Sequence, residues 1–225
     1  MPNQPAAPVP ADLPAGPPAD LLADWTALLR RCGAAADPAP YGRDLLGRWA
    51  EPQRRYHITD HLRAVLGHVD ALAAHADDPD TVRLAAWFHD AVYRPDRSEN
   101  EERSAALAVR ALTEAGLSER RTAEVARLVR LTVTHRPEPG DRDGEVLCDA
   151  DLAVLGGAPQ AYTAYAAAVR EEYAFVPDPD FRAGRADVLR RLLALPALYR
   201  TPTAHERFDA AARANLAAEL GRLDG

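Results

Sequence analysis

The chain has 225 residues, 47% of them apolar and 27% charged, with a formal charge of -7 and a pI near 5.5. That length builds one large domain or at most two small ones. The acidic balance leaves no broad cationic field for extended nucleic-acid binding, and two cysteines far apart without CxxC spacing make neither a disulfide framework nor a thiolate metal site.

The first eighteen residues hold seven prolines and no Lys or Arg. They lack the basic start and apolar run of a secretory signal. We read residues 1–18 as a disordered Pro/Ala-rich tail, residues 19–225 as one domain, and the chain as cytoplasmic, with Cys32 and Cys148 as ordinary packing residues.

Beyond that tail, apolar residues recur at helical spacing over residues 20–32 (Leu21, Leu22, Trp25, Leu28, Leu29) and 43–50 (Leu45, Leu46, Trp49). A third helix is expected from about Ile58 to Ala76, with Leu62, Val65, Leu66, Val69 and Leu72 as its buried stripe. Asp78-Pro79 caps the next helix, which carries Trp87, Phe88, His89 and Asp90 before Arg94-Pro95-Asp96 ends it. Ser98 to Glu101 has capping-box spacing and opens a helix stopped by Gly116; Ser118 caps another that leads to His135.

A polar turn over 136–144 precedes the helix bearing Asp149 and Asp151. Further helices are expected over 160–174, 183–195 and 206–223. Residues 152–169 carry no formal charge, but Gly156, Gly157 and Pro159 break the run, so it reads as two helices and not a membrane span. No β-branched alternation marks a strand. The expected fold is all-α, a single helical bundle of about nine or ten helices.

His89-Asp90 interrupts an apolar run, Trp87-Phe88 before it and Ala91-Val92 after it. Two adjacent polar side chains there are costly unless something satisfies them, and a divalent cation accepts both imidazole and carboxylate. His61 lies 28 residues earlier on a helix able to pack against this one.

The order His61, His89-Asp90 and then Asp151 in an Ala-Asp-Leu setting resembles the HD superfamily of metal-dependent phosphohydrolases. The wider pattern includes Arg55-Tyr56-His57, Trp87 to Tyr93, Asn100 to Ala105, Thr132 with His135, and Asp149-Ala150-Asp151-Leu152. With Arg170 to Tyr173, Gly184-Arg185 and Arg213 to Leu216 it is similar to a group of predicted bacterial HD phosphohydrolases over most of the chain.

The resemblance implies an HD-domain helical bundle in which His61, His89, Asp90 and Asp151 ligate one divalent metal, with Mn, Mg, Zn, Fe, Co and Ni all open. Either Asp149 or Asp151 could supply the last carboxylate. The motif favours Asp151, and on a helix the two point about 200° apart. Tyr56-His57 with His61 resembles the cyclic-nucleotide phosphodiesterases, which makes His57 a candidate general acid or substrate contact; a rival arrangement puts both histidines on one ion.

His135 falls where two-metal members bring in further histidines. Glu101 and Glu102 follow the metal pair where related enzymes hold the attacking water. Because Glu101 fits the third capping-box position, Glu102 is the catalytic candidate beside His57 and Asp90. Arg55, Arg94 and Arg185 are candidates for binding substrate phosphate, whereas His68, His75 and His205 are expected to be exposed or capping.

The implied activity is metal-assisted hydrolysis of a nucleotide or another small phosphate ester, a phosphomonoester or phosphodiester. A di-iron oxygenase on the same scaffold and a non-catalytic, metal-stabilised helical binding module are the alternatives. The partner is a small phosphorylated substrate, without extended nucleic acid or membrane, and the oligomeric state stays open.

Overall fold

The structure, a computed structural model, describes residues 19–225. The tail expected over residues 1–18 lies outside the described residues. Ten α-helices and one 3-10 turn follow in order, with no strand among the described residues.

The first helix, α1 (Ala19–Arg31), buries Leu21, Trp25, Leu28 and Leu29 along one stripe. Next, α2 (Ala39–Trp49) starts earlier than its apolar spacing suggests, because Asp37 accepts the Ala39 N–H and Pro40 fits the first turn. Then α3 (Thr59–Leu72) begins after an extended Ile58 and stops short of Ala76, where tight turns from Leu72 and Ala73 replace the helical ladder.

The central element is α4 (Pro79–Phe88), opened by Asp78, whose side chain accepts the Thr81 N–H. It is buried almost all round, from Thr81 and Val82 to Leu84 through Phe88. The reason is its position, packed against α1, α3, α5 (Asn100–Glu114), α6 (Glu119–Leu131) and α7 (Arg142–Leu152). Such a helix must be apolar on every face. Trp25 meets Trp87 edge-on at 5.1 Å, and Trp49 donates its indole N–H to the Trp87 carbonyl at 3.1 Å.

The expected capping box at Ser98 does not form; Glu99 is the N-cap position and makes no side-chain cap bond. Asn100 ties the preceding loop instead, accepting the Arg94 N–H and donating to the carbonyls of Arg94 and Arg97. Gly116, at a φ of +87°, ends α5 as expected, in a left-handed conformation that glycine adopts without strain.

After α7 come the 3-10 turn Ala153–Gly156, α8 (Pro159–Glu172), α9 (Asp178–Leu193) and α10 (Pro202–Asp224). The break at Gly156 and Gly157 falls where those residues predict it. No described helix is long and apolar enough to cross a membrane. Gly156 is also a close approach: a Cβ there would stand 2.6 Å from Phe208 Cβ and 2.8 Å from the Phe208 carbonyl oxygen. Asn215 on α10 grips the same corner by donating to the carbonyls of Leu155 and Gly157, both at 2.9 Å. Cys32 and Cys148 are buried and unpaired.

Candidate metal centre

Three helices converge on one point. His61 lies in the first turn of α3, His89 and Asp90 just past the end of α4, and Asp151 in the last turn of α7. These helices pack against one another, so the apolar stripes that join them also bring the polar groups together.

The His61 Nε2 atom is 3.2 Å from His89 Nε2 and 3.2 Å from Asp151 Oδ1, and His89 Nε2 is 3.6 Å from the same oxygen. Donors sharing a cation at about 2.1 Å stand roughly 3.0 Å apart at right angles and 3.4 Å apart in a tetrahedron. The group His61, His89 and Asp151 could therefore hold a metal ion. Asp90 Oδ2 adjoins it, 3.2 Å from His89 Nε2 and 3.8 Å from His61 Nε2.

The donor chemistry fits a cation as well as the distances do. His89 Nδ1 sits 2.8 Å from the Ala86 carbonyl, an acceptor, so Nδ1 carries a hydrogen and the lone pair of neutral His89 lies on Nε2. Two ring nitrogens and two carboxylates then face one another in a buried pocket, an arrangement that a positive charge relieves.

The pKa directions record the same crowding. Burial pushes the His61 imidazole down. Burial would lower His89 too, but the carboxylates of Asp90 and Asp151 outweigh it and raise its pKa well above the usual value. For Asp90 and Asp151, burial acts upward and is overcome by the adjacent histidines, leaving both carboxyls low.

Asp149 is not part of the cluster. Its carboxylate accepts the backbone N–H groups of Arg200 and Thr201 at 2.8 and 2.7 Å, tying α7 to the start of α10. Asp151 is the residue that faces the histidines.

His135 Nε2 lies 2.7 Å from the outer oxygen of that carboxylate, Oδ2. Its backbone takes a φ of +50°, rare for a residue other than glycine, and such strain persists only where the surroundings hold it.

His57 precedes α3, so it does not share a helical face with His61. Its Nδ1 lies 2.7 Å from Glu172 Oε2, its ring stacks on Tyr93 at 4.0 Å, and its Nε2 is 3.8 Å from Asp90 Oδ2. Glu172 completes the bracket: its other oxygen accepts the N–H groups of Arg55, Tyr56 and His57, and Tyr93 donates to Oε2 at 3.0 Å. Burial would raise the Glu172 carboxyl, but the bond and charge of His57 and those N–H groups bring it down to about 2.

Arg54 is the second residue whose part the sequence reading missed. Buried under Trp49 and Tyr93, its guanidinium donates to the carbonyls of His57, Asp90 and Ala91 at 3.1, 2.8 and 3.3 Å. One side chain thus clamps the two segments that carry His57 and the His-Asp pair.

A cavity of about 620 Å³ opens onto this cluster, with His57, Asp90, His135, Asp151, Tyr165, Tyr173 and Phe181 among its lining residues. A smaller, mostly apolar one of about 360 Å³ also reaches His61 and Asp151.

Several expected site residues lie elsewhere. Glu102 points to the surface and pairs with Arg130 at 2.6 Å, whereas Glu101, free of the capping role expected of it, lines the larger cavity. Arg94 is exposed and pairs with Asp96, outside both cavities. Arg185 does line the larger cavity, but Glu219 holds its guanidinium at 2.9 and 3.0 Å. Arg55 lines the smaller cavity, half-exposed, with donors turned to the carbonyls of Pro52 and Arg54. His68 is half-buried against Phe208, and His75 pairs with Glu145 at 2.6 Å.

No protein-family model matches the chain, and neither the curated proteins nor the solved structures yield a match to it.

Proposed function

We propose that this chain is a metal-dependent phosphohydrolase of the HD type, acting on a small phosphate ester. The observation that carries the reading is the meeting of His61, His89, Asp90 and Asp151 beside a histidine, His57, that is oriented by Glu172 and lines a cavity. Asp90 is the fourth ligand in this reading, reaching the shared centre by the oxygen it already turns to His89.

A divalent cation held by these four residues supplies Lewis-acid polarisation of a phosphoryl oxygen and a water acidified toward neutral pH. The protein's own groups do the rest. Glu172, kept ionised, accepts the Nδ1–H of His57 and fixes the ring with Nε2 toward the cavity. As a water oxygen replaces the ester oxygen on phosphorus, Nε2 of the protonated ring gives its proton to that departing ester oxygen as general acid. His135 holds the outer oxygen of Asp151, keeping Oδ1 toward the histidines. Arg54 fixes the backbone under His57 and Asp90, so the acid and the ligands keep one spacing.

The test is phosphate release from a panel of phosphomonoesters and phosphodiesters with Mn, Mg, Zn, Co, Ni or Fe(II) added to the metal-stripped chain. The reading expects turnover that depends on the metal and is lost in Asp90→Ala. Absence of release from every ester with every metal would refute it.

A further inference from the structure

His57 lines the larger cavity and not the smaller one, so in the hydrolase reading the leaving group that it protonates occupies the larger cavity. The side chains of that space carry four carboxylates, Asp90, Glu101, Asp151 and Asp180, against one guanidinium, Arg185, and two imidazoles, His57 held by Glu172 and His135 held by Asp151. Glu219 already neutralises Arg185 through two hydrogen bonds, so its charge is committed.

Of the arginines outside that lining, Arg170 and Arg130 are engaged, while Arg136 and Arg191 line a neighbouring pocket that shares His135 and Val188 with it. Arg170 stacks on Phe181 and donates to the carbonyls of Tyr173 and Val176, and Arg130 is bound to Glu102. A divalent cation at the site would offset Asp90 and Asp151 and leave Glu101, partly buried, and Asp180, exposed at the first turn of α9, neither of which makes a side-chain hydrogen bond or ion pair among the described residues. Beside these two acids stand the rings of Tyr165, Tyr173 and Phe181.

We infer that the substrate carries one phosphate on an apolar, ring-bearing alcohol with no second negative charge, and that a positive substituent on that alcohol is preferred. The inference rests on the hydrolase reading for where the phosphate sits. The aromatic walls supply area for a ring, and the two unpaired carboxylates attract a cation and repel an anion. Nucleoside diphosphates and triphosphates are disfavoured because no uncommitted guanidinium or ammonium lines the space to meet their extra phosphates.

The probes are three non-hydrolysable analogues: benzylphosphonate, 4-(aminomethyl)benzylphosphonate and 4-carboxybenzylphosphonate. Their binding to the Mn-loaded chain is measured by calorimetry, beside phosphate release from the corresponding benzyl phosphates. The ammonium analogue is expected to bind on the order of tenfold more tightly than the carboxylate one. In the double variant Glu101→Gln, Asp180→Asn that ratio falls toward one.

Binding with this preference, together with no phosphate release from any ester with any metal, would support the cavity assignment and refute the hydrolase. Equal binding of the three analogues, tighter binding of the carboxylate one, or no binding of any would overturn the inference whether or not phosphate is released. If the double variant does not fold, the ratio in the unaltered chain decides alone.

Discussion

Glu172 Oε2 lies 2.7 Å from His57 Nδ1 while Glu172 Oε1 collects the backbone N–H groups of residues 55 to 57, so one carboxylate fixes both the ring and the peptide segment that carries it. In Glu172→Gln the amide N–H donates to Nδ1 and moves the ring proton of neutral His57 to Nε2, and it no longer stabilises the protonated ring. Turnover is expected to fall by roughly 10²- to 10⁴-fold, the range of a lost general acid. Metal content is unchanged. Steady-state kinetics beside elemental analysis checks both, and equal kinetics would remove His57 from the mechanism.

The same residue gives a pH dependence. The folded Glu172 carboxyl titrates near 2 and the unfolded one near its ordinary 4.5, so between those values the unfolded chain binds more protons. The stability from Glu172 is present above about pH 4.5 and is lost as pH falls toward 2. Urea unfolding at pH 6 should show Glu172→Gln less stable than the unaltered chain, and the gap should narrow as pH falls below about 4.5. A gap that widened with acidification would contradict the assignment.

Arg54→Met removes three carbonyl contacts from a buried guanidinium. Leaving such carbonyls without partners costs about 3 kcal/mol or more. Arg54→Lys recovers only part of it, because an ammonium lacks the planar fork that reaches several acceptors at once. Denaturant unfolding measures the order: unaltered, then Lys, then Met.

Asp149 and Asp151 separate structure from site. Asp149→Asn weakens the tie to Arg200 and Thr201, lowering stability while keeping bound metal. Asp151→Asn keeps the fold and loses metal. Elemental analysis and thermal unfolding of the pair read both quantities, and the reverse pattern would exchange the two roles.

At Gly156 an added methyl meets the Phe208 backbone, so Gly156→Ala is expected to cost about 1–3 kcal/mol. Gly67, on an exposed face of α3 with nothing near a Cβ, gives the opposite sign: Gly67→Ala stabilises by roughly 0.5–1 kcal/mol. Urea unfolding of both variants settles the contrast.

The helices were legible because their apolar stripes repeat locally, and His89-Asp90 stood out because two polar residues interrupt such a run. The partners at long range were not. Glu171 and Glu172 look alike in sequence, and only the docking of α8 against residues 55 to 57, more than 110 positions away, makes one of them the anchor. Arg54 and Arg55 present the same difficulty, since burial under Trp49 separates their roles. The capping-box spacing favours Glu102 over Glu101 as the catalytic residue, but Ser98 does not take the N-cap position, a case of loop geometry overriding a local preference.

The central claim is a single cation shared by His61, His89, Asp90 and Asp151, and the metal content of the purified chain tests it most directly. Elemental analysis after equilibration with Mn is expected to find one ion per chain, falling to near zero in His89→Ala and in Asp151→Asn while both variants stay folded by circular dichroism. Undiminished metal in those folded variants, or none in the unaltered chain at millimolar Mn, would contradict the account.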